Sequence, residues 1–222
     1  MEKVIIFGIT EMGKVAHYFF KRDAAYEVVA FTVNRKYNNV EKFCGLDIYD
    51  FEEIETLFPP KEYKLFLAIG PSKMNGLREQ KFIEVKSKGY TMASYVSRHA
   101  VCDSPLGENC FVADMAVINP HVEVGDDNVI LEGSILSSYC QIMNHCYISP
   151  GSIVGTHSKV LNNSVLGMAS VIKTHVVVAE KTLVGASCYI AQNTEPLGVY
   201  GEKSSELYGC ISDKVDISRM GN

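Results

Sequence analysis

VILEGSILSSYCQIMNHCYISPGSIV, residues 129–154, places an aliphatic side chain at Ile130, Leu136, Ile142, Ile148 and Val154, every sixth position. Outward from this stretch the column continues through Leu106, Val112, Ile118 and Val124 on one side. On the other it runs through Val160, Leu166, Ile172, Val178, Val184 and Ile190, without an exception. Neither the 3.6-residue period of a helix nor the 2-residue period of a strand produces it. A short fixed period is the mark of a solenoid, whose units bury apolar side chains only against stacked neighbours. Two residues before most of these aliphatics stands a small residue, among them Ser104, Cys110, Ala116, Ser134, Cys140, Cys146, Ser152, Ser158, Ser164, Ser170, Thr182 and Cys188. Small side chains suit a tight corner that points inward. Three six-residue sides close a triangular coil of 18 residues, so the column predicts about five coils. At the ~4.8 Å spacing of paired strands the prism is about 24 Å long.

The first 97 residues are a different kind of chain. Val4-Ile5-Ile6-Phe7 reads as a buried parallel strand, followed by Gly8 and a helix from near Gly13 with Val15, Ala16, Phe19 and Phe20 on one face. Val28 to Phe31 is a second strand, and Phe51 to Phe58 a short acidic helix ended by Pro59-Pro60. Leu65 to Gly70 is a third strand, Met74 to Ser87 a long amphipathic helix, and Tyr90 to Tyr95 a fourth strand. The alternation predicts a small Rossmann-like α/β domain with a parallel sheet over 1–97. An all-β prism follows over 98–198, with a capping tail over 199–222. Ligands of parallel sheets sit outside the carboxyl ends of the strands. That rule gathers Gly8 to Gly13, Val33-Asn34 and Ile69-Gly70-Pro71 around one crevice. The turn Gly8-Ile9-Thr10-Glu11-Met12-Gly13 lacks the middle glycine of a dinucleotide fingerprint, and Asn34 stands where a ribose-binding acid belongs. Glu11 would also repel a pyrophosphate. The pattern argues against NAD; the glycines fit a tight turn and nucleotide binding equally well.

A net charge of −5 and a pI near 5.7 argue against a nucleic-acid or anionic-membrane partner. There is no cationic leader with an apolar stretch, and no apolar run approaches the ~18 residues of a membrane helix. A soluble, cytoplasmic protein is expected. Cys110, Cys140, Cys146 and Cys188 fall in the small-residue column, and Cys44, Cys102 and Cys210 share no metal-ligand spacing. Free thiols and no metal site are the expectation.

The stretch from Asp127-Asn128-Val129-Ile130 through His145-Cys146-Tyr147-Ile148-Ser149-Pro150-Gly151 to Gly167-Met168-Ala169-Ser170 resembles the core of the left-handed β-helix acyltransferases. It is most similar to the sialic-acid and bacillosamine type, which N-acylates nucleotide-linked amino sugars for surface polysaccharides such as O-antigen. Gly8 to Gly13 matches that group's first turn and Gly198-Val199-Tyr200 its exit from the helix. The resemblance implies a homotrimer with an active site between neighbouring prisms. It puts acyl-coenzyme A, with an acetyl or short hydroxyacyl group, at Thr156, Gly167, Met168, Gly185 and Ala186. The nucleotide base would sit near Gly8, Ile9, Thr10, Asn34 and Gly70, and the sugar near Glu132 and Tyr147. A trimer would also cover Ile135, Ile153 and Val171, which otherwise face solvent.

One departure concerns the chemistry. The group's histidine base and its acidic or histidine neighbour correspond here to Ser138 and Tyr139, and Tyr147 replaces another histidine that touches the sugar. His145 lies seven residues beyond Ser138. Three readings stand: His145 acts as base from another side, it orients structure or ligand, or no protein base is used. Loss of a general base costs typically 10²–10⁴-fold, a handicap and not an abolition. A partly neutral amine is already nucleophilic, whereas a hydroxyl must lose its proton as it attacks. The missing histidine therefore favours direct attack by an amine, with Ser138 and Tyr139 as hydrogen-bonding groups. The alternatives are O-acyl transfer to a sugar or amino-acid hydroxyl, and a prism that binds without catalysis. His121, His157 and His175 read as surface or trimer-packing residues at corners.

Overall fold

The computed structural model describes residues 1–201, and its architecture changes where the periodicity does. Strands β1 (Lys3–Phe7), β2 (Glu27–Val33), β3 (Lys42–Phe43), β4 (Leu46–Asp50) and β5 (Tyr63–Leu67) form one sheet in the order β3-β4-β2-β1-β5. All pairings are parallel except the β3–β4 hairpin. Helix α1 (Glu11–Arg22) packs on one face of the sheet through Ala16, Phe19 and Phe20; α2 (Ile54–Leu57) and α3 (Gly76–Ser87) cover the other with Ile54 and Val85. Among the described residues no helix is long and apolar enough to cross a membrane.

Two elements depart from the sequence reading. The β3–β4 hairpin was not expected; Cys44 and Gly45 both have positive φ (49° and 82°), as a two-residue turn requires, but Cys-Gly hides a turn more often written Asn-Gly. The fourth strand over Tyr90 to Tyr95 does not form. Met92 makes a single bridge to Leu65, and the chain then crosses to the prism, where Tyr95–Val96 pairs with Phe111–Val112. Packing explains the crossing: Tyr95 is buried with its ring 5.7, 5.3 and 5.1 Å from those of Phe19, Phe20 and Phe111.

From Tyr95 onward the chain winds as a parallel β-helix. Two-residue strands pair in register with the strands 18 positions on, as in Val129↔Tyr147, Ile135↔Ile153 and Gln141↔Lys159, except at the two ends, where Tyr95↔Phe111, Val101↔Val117 and Leu183↔Val199 are 16 apart. One face carries strands from Tyr95–Val96 to Val199–Tyr200, the second from Val101–Cys102 to Tyr189–Ile190, the third from Glu123–Val124 to Val177–Val178. The aliphatic column fills the interior; Ile118, Ile130, Leu136, Ile148, Val154 and Leu166 are wholly buried. The small column serves hydrogen bonding as well as space. Ser134, Ser158 and Ser164 donate to the carbonyls of Ser149, Lys173 and Ala179 at 3.0, 2.7 and 2.8 Å, and the thiols of Cys110 and Cys146 lie 3.2 Å from the carbonyls of Gly125 and Leu161. Each such donor satisfies a corner carbonyl that the strands leave unpaired. Burial pushes the thiols of Cys110, Cys140 and Cys146 up to about 12, so they stay protonated and unreactive. The expected capping tail lies outside the described residues beyond 201.

Every sixth residue from Asn109 to Ser187 turns a corner with positive φ. Asparagine, aspartate and histidine tolerate this left-handed backbone better than other non-glycine residues. The corners therefore read down three edges. Asn109, Asp127, His145 and Asn163 form the first, Met115, Gly133, Gly151 and Ala169 the second, and His121, Tyr139, His157 and His175 the third.

The prism's first face and the α1 side of the sheet share one core, in which Phe111, Val129 and the partly buried Tyr147 meet Phe19, Phe20 and Phe66. Interior column positions should therefore carry the stability. Leu166→Ala is expected to cost about 2–5 kcal/mol in urea unfolding, whereas Gln141→Ala, on the outer side of the third face, should stay within about 0.5 kcal/mol.

Candidate active site

The crevice forms where β1, β2 and β5 end. Gly8 has φ 117°, and a Cβ there would lie 2.7 Å from the Ala68 carbonyl, so the β1 turn accepts only glycine. This close approach lets Phe7, Gly8, Ile9, Thr10, Val33, Asn34, Ala68, Ile69 and Gly70 line a cavity of about 520 Å³, closed by Leu77, Gln80 and Lys81 of α3. A second cavity of about 620 Å³ adjoins it through Thr10 and Gly70. Its far wall is the prism, with Leu131, Glu132 and Tyr147. All seven residues expected to hold the sugar nucleotide thus line one continuous crevice. Burial raises the Tyr147 phenol above its ordinary value, which keeps it a hydrogen-bond donor at neutral pH. Two other openings, around Met1 and Lys64 and around Asn38 and Tyr49, lie away from the strand ends and the prism.

The expected coenzyme positions lie on two edges. Gly167, Met168, Gly185 and Ala186 follow one another down the second edge, the one that carries Glu132 beside Gly133. Glu132 and Met168 are two coils apart, about 10 Å at the strand spacing. The glycines have a structural reason: a Cβ on Gly167 would lie 2.6 Å from the amide nitrogen of Ala186. Thr156 stands on the third edge, beside His157. The amides of Thr156, Met168 and Ala186 donate to no backbone carbonyl of the described residues.

The three expected catalytic residues do not come together. Ser138 and Tyr139 are on the third edge, where Ser138 is half-buried and Tyr139 is 51% exposed. His145 is on the first edge, one six-residue side away, a span of up to about 20 Å. It is buried against α3, its ring 5.5 Å from that of Phe82. Its Nδ1–H donates to Asp127 at 2.8 Å, and Asp127 also takes hydrogen bonds from Asn109 at 2.6 Å and from the wholly buried Arg78. Arg78 reaches the Ile69 carbonyl at 2.6 Å, so this network ties the crevice wall to the prism. His145 is an interdomain packing residue here.

His121, His157 and His175, expected to be surface or trimer-packing residues, are exposed at corners and form a ladder there. His121, Tyr139, His157 and His175 stack with centroids 4.9, 5.1 and 5.0 Å apart and rings within 13° of parallel. Their 18-residue spacing was visible in the sequence once the coil length was known.

A second clamp holds the two parts together. Arg22, at the end of α1, donates to Asp114 of the prism at 2.8 and 2.7 Å and to Asp23 at 2.7 Å. Its guanidinium draws Asp114 down to about 2 and holds Asp23 well below the usual carboxylate range.

No protein-family model and no curated protein matches the sequence. Solved structures share the fold. A variant of perosamine N-acetyltransferase from Caulobacter crescentus, in complex with CoA and GDP-perosamine, superposes with a TM-score of 0.82 at 22% identity, covering 91% of this chain and 94% of that one. The acetyltransferase domain of PglB from Neisseria gonorrhoeae gives 0.82 at 16% identity over 91% and 97%. WeeI from Acinetobacter baumannii gives 0.75 at 14% over 90% and 94%. At these identities the likeness is one of fold.

The clamp makes docking acid-sensitive in a defined direction. Carboxylates depressed in the folded state contribute stability above their unfolded value, near 4, and lose it as pH falls through the folded value. Urea midpoints of the wild type and Arg22→Met are expected to differ at pH 6 and to converge as the pH falls from about 4 to about 2.

Proposed function

We propose that this protein is an acyl-CoA-dependent N-acyltransferase that acylates the amino group of a nucleotide-linked amino-deoxysugar for surface-polysaccharide assembly. Its parts on this reading are a Rossmann-like nucleotide-sugar domain over 1–97, a left-handed β-helix over 98–198 and a capping tail over 199–222. The supporting observation is the continuous crevice: Gly8, Ile9, Thr10, Asn34, Gly70, Glu132 and Tyr147 line two cavities that share Thr10 and Gly70. It runs from parallel-strand ends, where nucleotides bind, onto the prism. The Caulobacter crescentus structure of the same fold holds both CoA and GDP-perosamine, which suits the same pair of ligands here. The enzyme would be soluble and cytoplasmic.

In the reaction the amine nitrogen attacks the thioester carbonyl carbon, a C–N bond forms and the C–S bond breaks. The departing thiolate takes the proton released by the amine. The products are an amide and free coenzyme A. Positioning the two reactants supplies the rate, up to about 7–11 kcal/mol of the barrier. Ser138 and Tyr139 serve as hydrogen-bonding groups.

The reading includes a homotrimer, and the split of the expected site supports it. Glu132 and Met168 are on the second edge and Ser138, Tyr139 and Thr156 on the third, so they converge only if a second copy brings its third edge to this chain's second. The second face between those edges is apolar, with Val101, Ile135 and Tyr189 exposed and Val117, Ile153 and Val171 half-buried. Ile153→Glu is therefore expected to give monomers in light scattering and to abolish turnover while leaving the circular dichroism spectrum intact.

The ladder favours a second reading of the proton's path, because His121 and His157 flank Tyr139 and put imidazoles about one coil from Ser138. A thiol-release assay over a panel of nucleotide amino sugars, with acetyl-CoA and 3-hydroxybutyryl-CoA, tests function and mechanism together. An amino sugar should turn over and its hydroxy analogue should not; a preference for the hydroxyl would make this an O-acyltransferase. Absence of micromolar coenzyme A binding would leave a non-catalytic prism. With an active substrate, His145→Asn should keep kcat within about 10-fold, since asparagine suits the corner backbone and His145 is far from Ser138. A loss in the 10²–10⁴-fold range in His157→Asn or His121→Asn would instead assign proton removal to the ladder.

A further inference from the structure

The inner wall of the 520 Å³ cavity holds a buried cation that the reaction above does not use. Lys81, on α3, is 7% exposed, and its ammonium stands 4.5 and 5.0 Å from the ring centroids of Phe51 and Phe7. It donates to Asn34 Oδ1 at 3.2 Å and to Glu84. An ammonium carries three N–H donors, and a buried one is costly to leave short of partners. Asn34 is held from its other end, where its amide nitrogen donates to Glu52 at 3.1 Å; Glu52 is itself fixed by the Arg35 amide at 2.9 Å. The Asn34 oxygen is thereby turned toward Lys81. A donor and an acceptor stand side by side at the carboxyl end of β2, on the wall of a cavity that Ile9, Ile69 and Leu77 line together with the polar side chains of Thr10, Lys36, Tyr37 and Gln80.

A phosphate does not match this pair, because the Glu52 and Glu84 carboxylates stand beside it. A flat neutral ring with an acceptor next to a donor does. The imide edge of uracil, thymine or guanine has that order, a carbonyl oxygen to accept from Lys81 and a ring N–H to donate to the second lone pair of Asn34 Oδ1. With the ring held in that same placement by its ribose, the amino edge of cytosine or adenine reverses the order, facing an NH₂ toward the ammonium and a lone pair toward the carbonyl oxygen. We propose that Lys81 and Asn34 select the donor by its base, admitting imide-edged nucleotides and rejecting amino-edged ones. This rests on the nucleotide-sugar reading above and narrows its substrate class.

Isothermal titration of the full chain with UDP, dTDP, GDP, CDP and ADP tests it without need of the sugar or of turnover. The imide-edged nucleotides should bind about 10- to 100-fold more tightly than CDP and ADP, the range of one two-point base contact. UDP methylated at N3, which lacks only the ring N–H, should fall to the level of CDP. Lys81→Met, which keeps the aliphatic stem, should bring all of them to within about 3-fold of one another at an unchanged melting temperature. Should the variant not fold, the N3-methyl comparison on the wild type decides alone. Equal binding of all the nucleotides, or of UDP and its N3-methyl form, overturns the selection while leaving the nucleotide reading in place. Selectivity that persists in folded Lys81→Met removes Lys81 from the role. No binding of any nucleotide up to millimolar concentration overturns both.

Discussion

Each coil of the prism is hydrogen-bonded to the next through its backbone, as when the amides of Val129 and Tyr147 donate to the carbonyls of Cys146 and Ser164. Because the inner coils share one length, a side chain in them must sit over the one 18 residues before it. Almost everything else in this protein is a consequence. The interior column has to be aliphatic throughout, since a single polar member would face its neighbours above and below with no partner. The corners have to tolerate positive φ, which filters their occupants toward Asn, Asp, His and Gly. Whatever side chain an edge carries is repeated in space at the strand spacing, so an edge that admits histidines becomes a stack of rings.

This constraint is why the prism was legible from the sequence and the rest less so. The column from Leu106 to Ile190 states the coil length directly, and the pairings of 18 follow from it. In the sheet domain no such repetition exists. β1, β2 and β5 announce themselves as apolar runs, but β3 has only two residues, β4 is mixed in character and the two are joined by Cys44-Gly45, so nothing local marks them. Tyr90 to Tyr95 looks like a strand in isolation, and only the contacts of Tyr95 with Phe19, Phe20 and Phe111, far away in sequence, send it to the prism. Gly8, Ile9, Thr10, Asn34 and Gly70 were legible because strand ends and glycine turns determine them, whereas Glu132 and Tyr147, on the prism, came only from the resemblance. The role of His145 was not, because it depends on Arg78, which reads as an exposed helix residue.

Arg78, Asp127, His145 and Asn109 show what a buried polar cluster does at a junction. Taking a guanidinium and a carboxylate out of water is costly, and hydrophobic residues of similar volume often stabilise as well or better. Their hydrogen bonds are directional, however. Arg78 must meet both the Ile69 carbonyl and Asp127, and Asn109 both the Leu67 amide and Asp127, so the strand end and the prism corner have one relative position that satisfies all four. That fixes the wall of the crevice at Ile69 and Gly70. His145 joins this cluster through its Nδ1–H bond to Asp127 and its packing against Phe82 of α3.

The same logic bears on why the expected reaction site is divided. A prism edge offers only the residues of one corner, spaced by whole coils, and neighbouring edges are held apart by a full side. No single chain of this fold brings the crevice beside Glu132 together with Ser138, Tyr139 and Thr156. In the proposed trimer the third edge of one copy would meet the second edge of the next without altering either chain, and the apolar second face would be buried in the act. On that arrangement the ladder of His121, Tyr139, His157 and His175 leaves solvent for the cleft between copies. There the imidazoles would lie beside a neighbour's crevice, and a side chain admitted to its corner by backbone tolerance would acquire a chemical setting that its own chain does not provide.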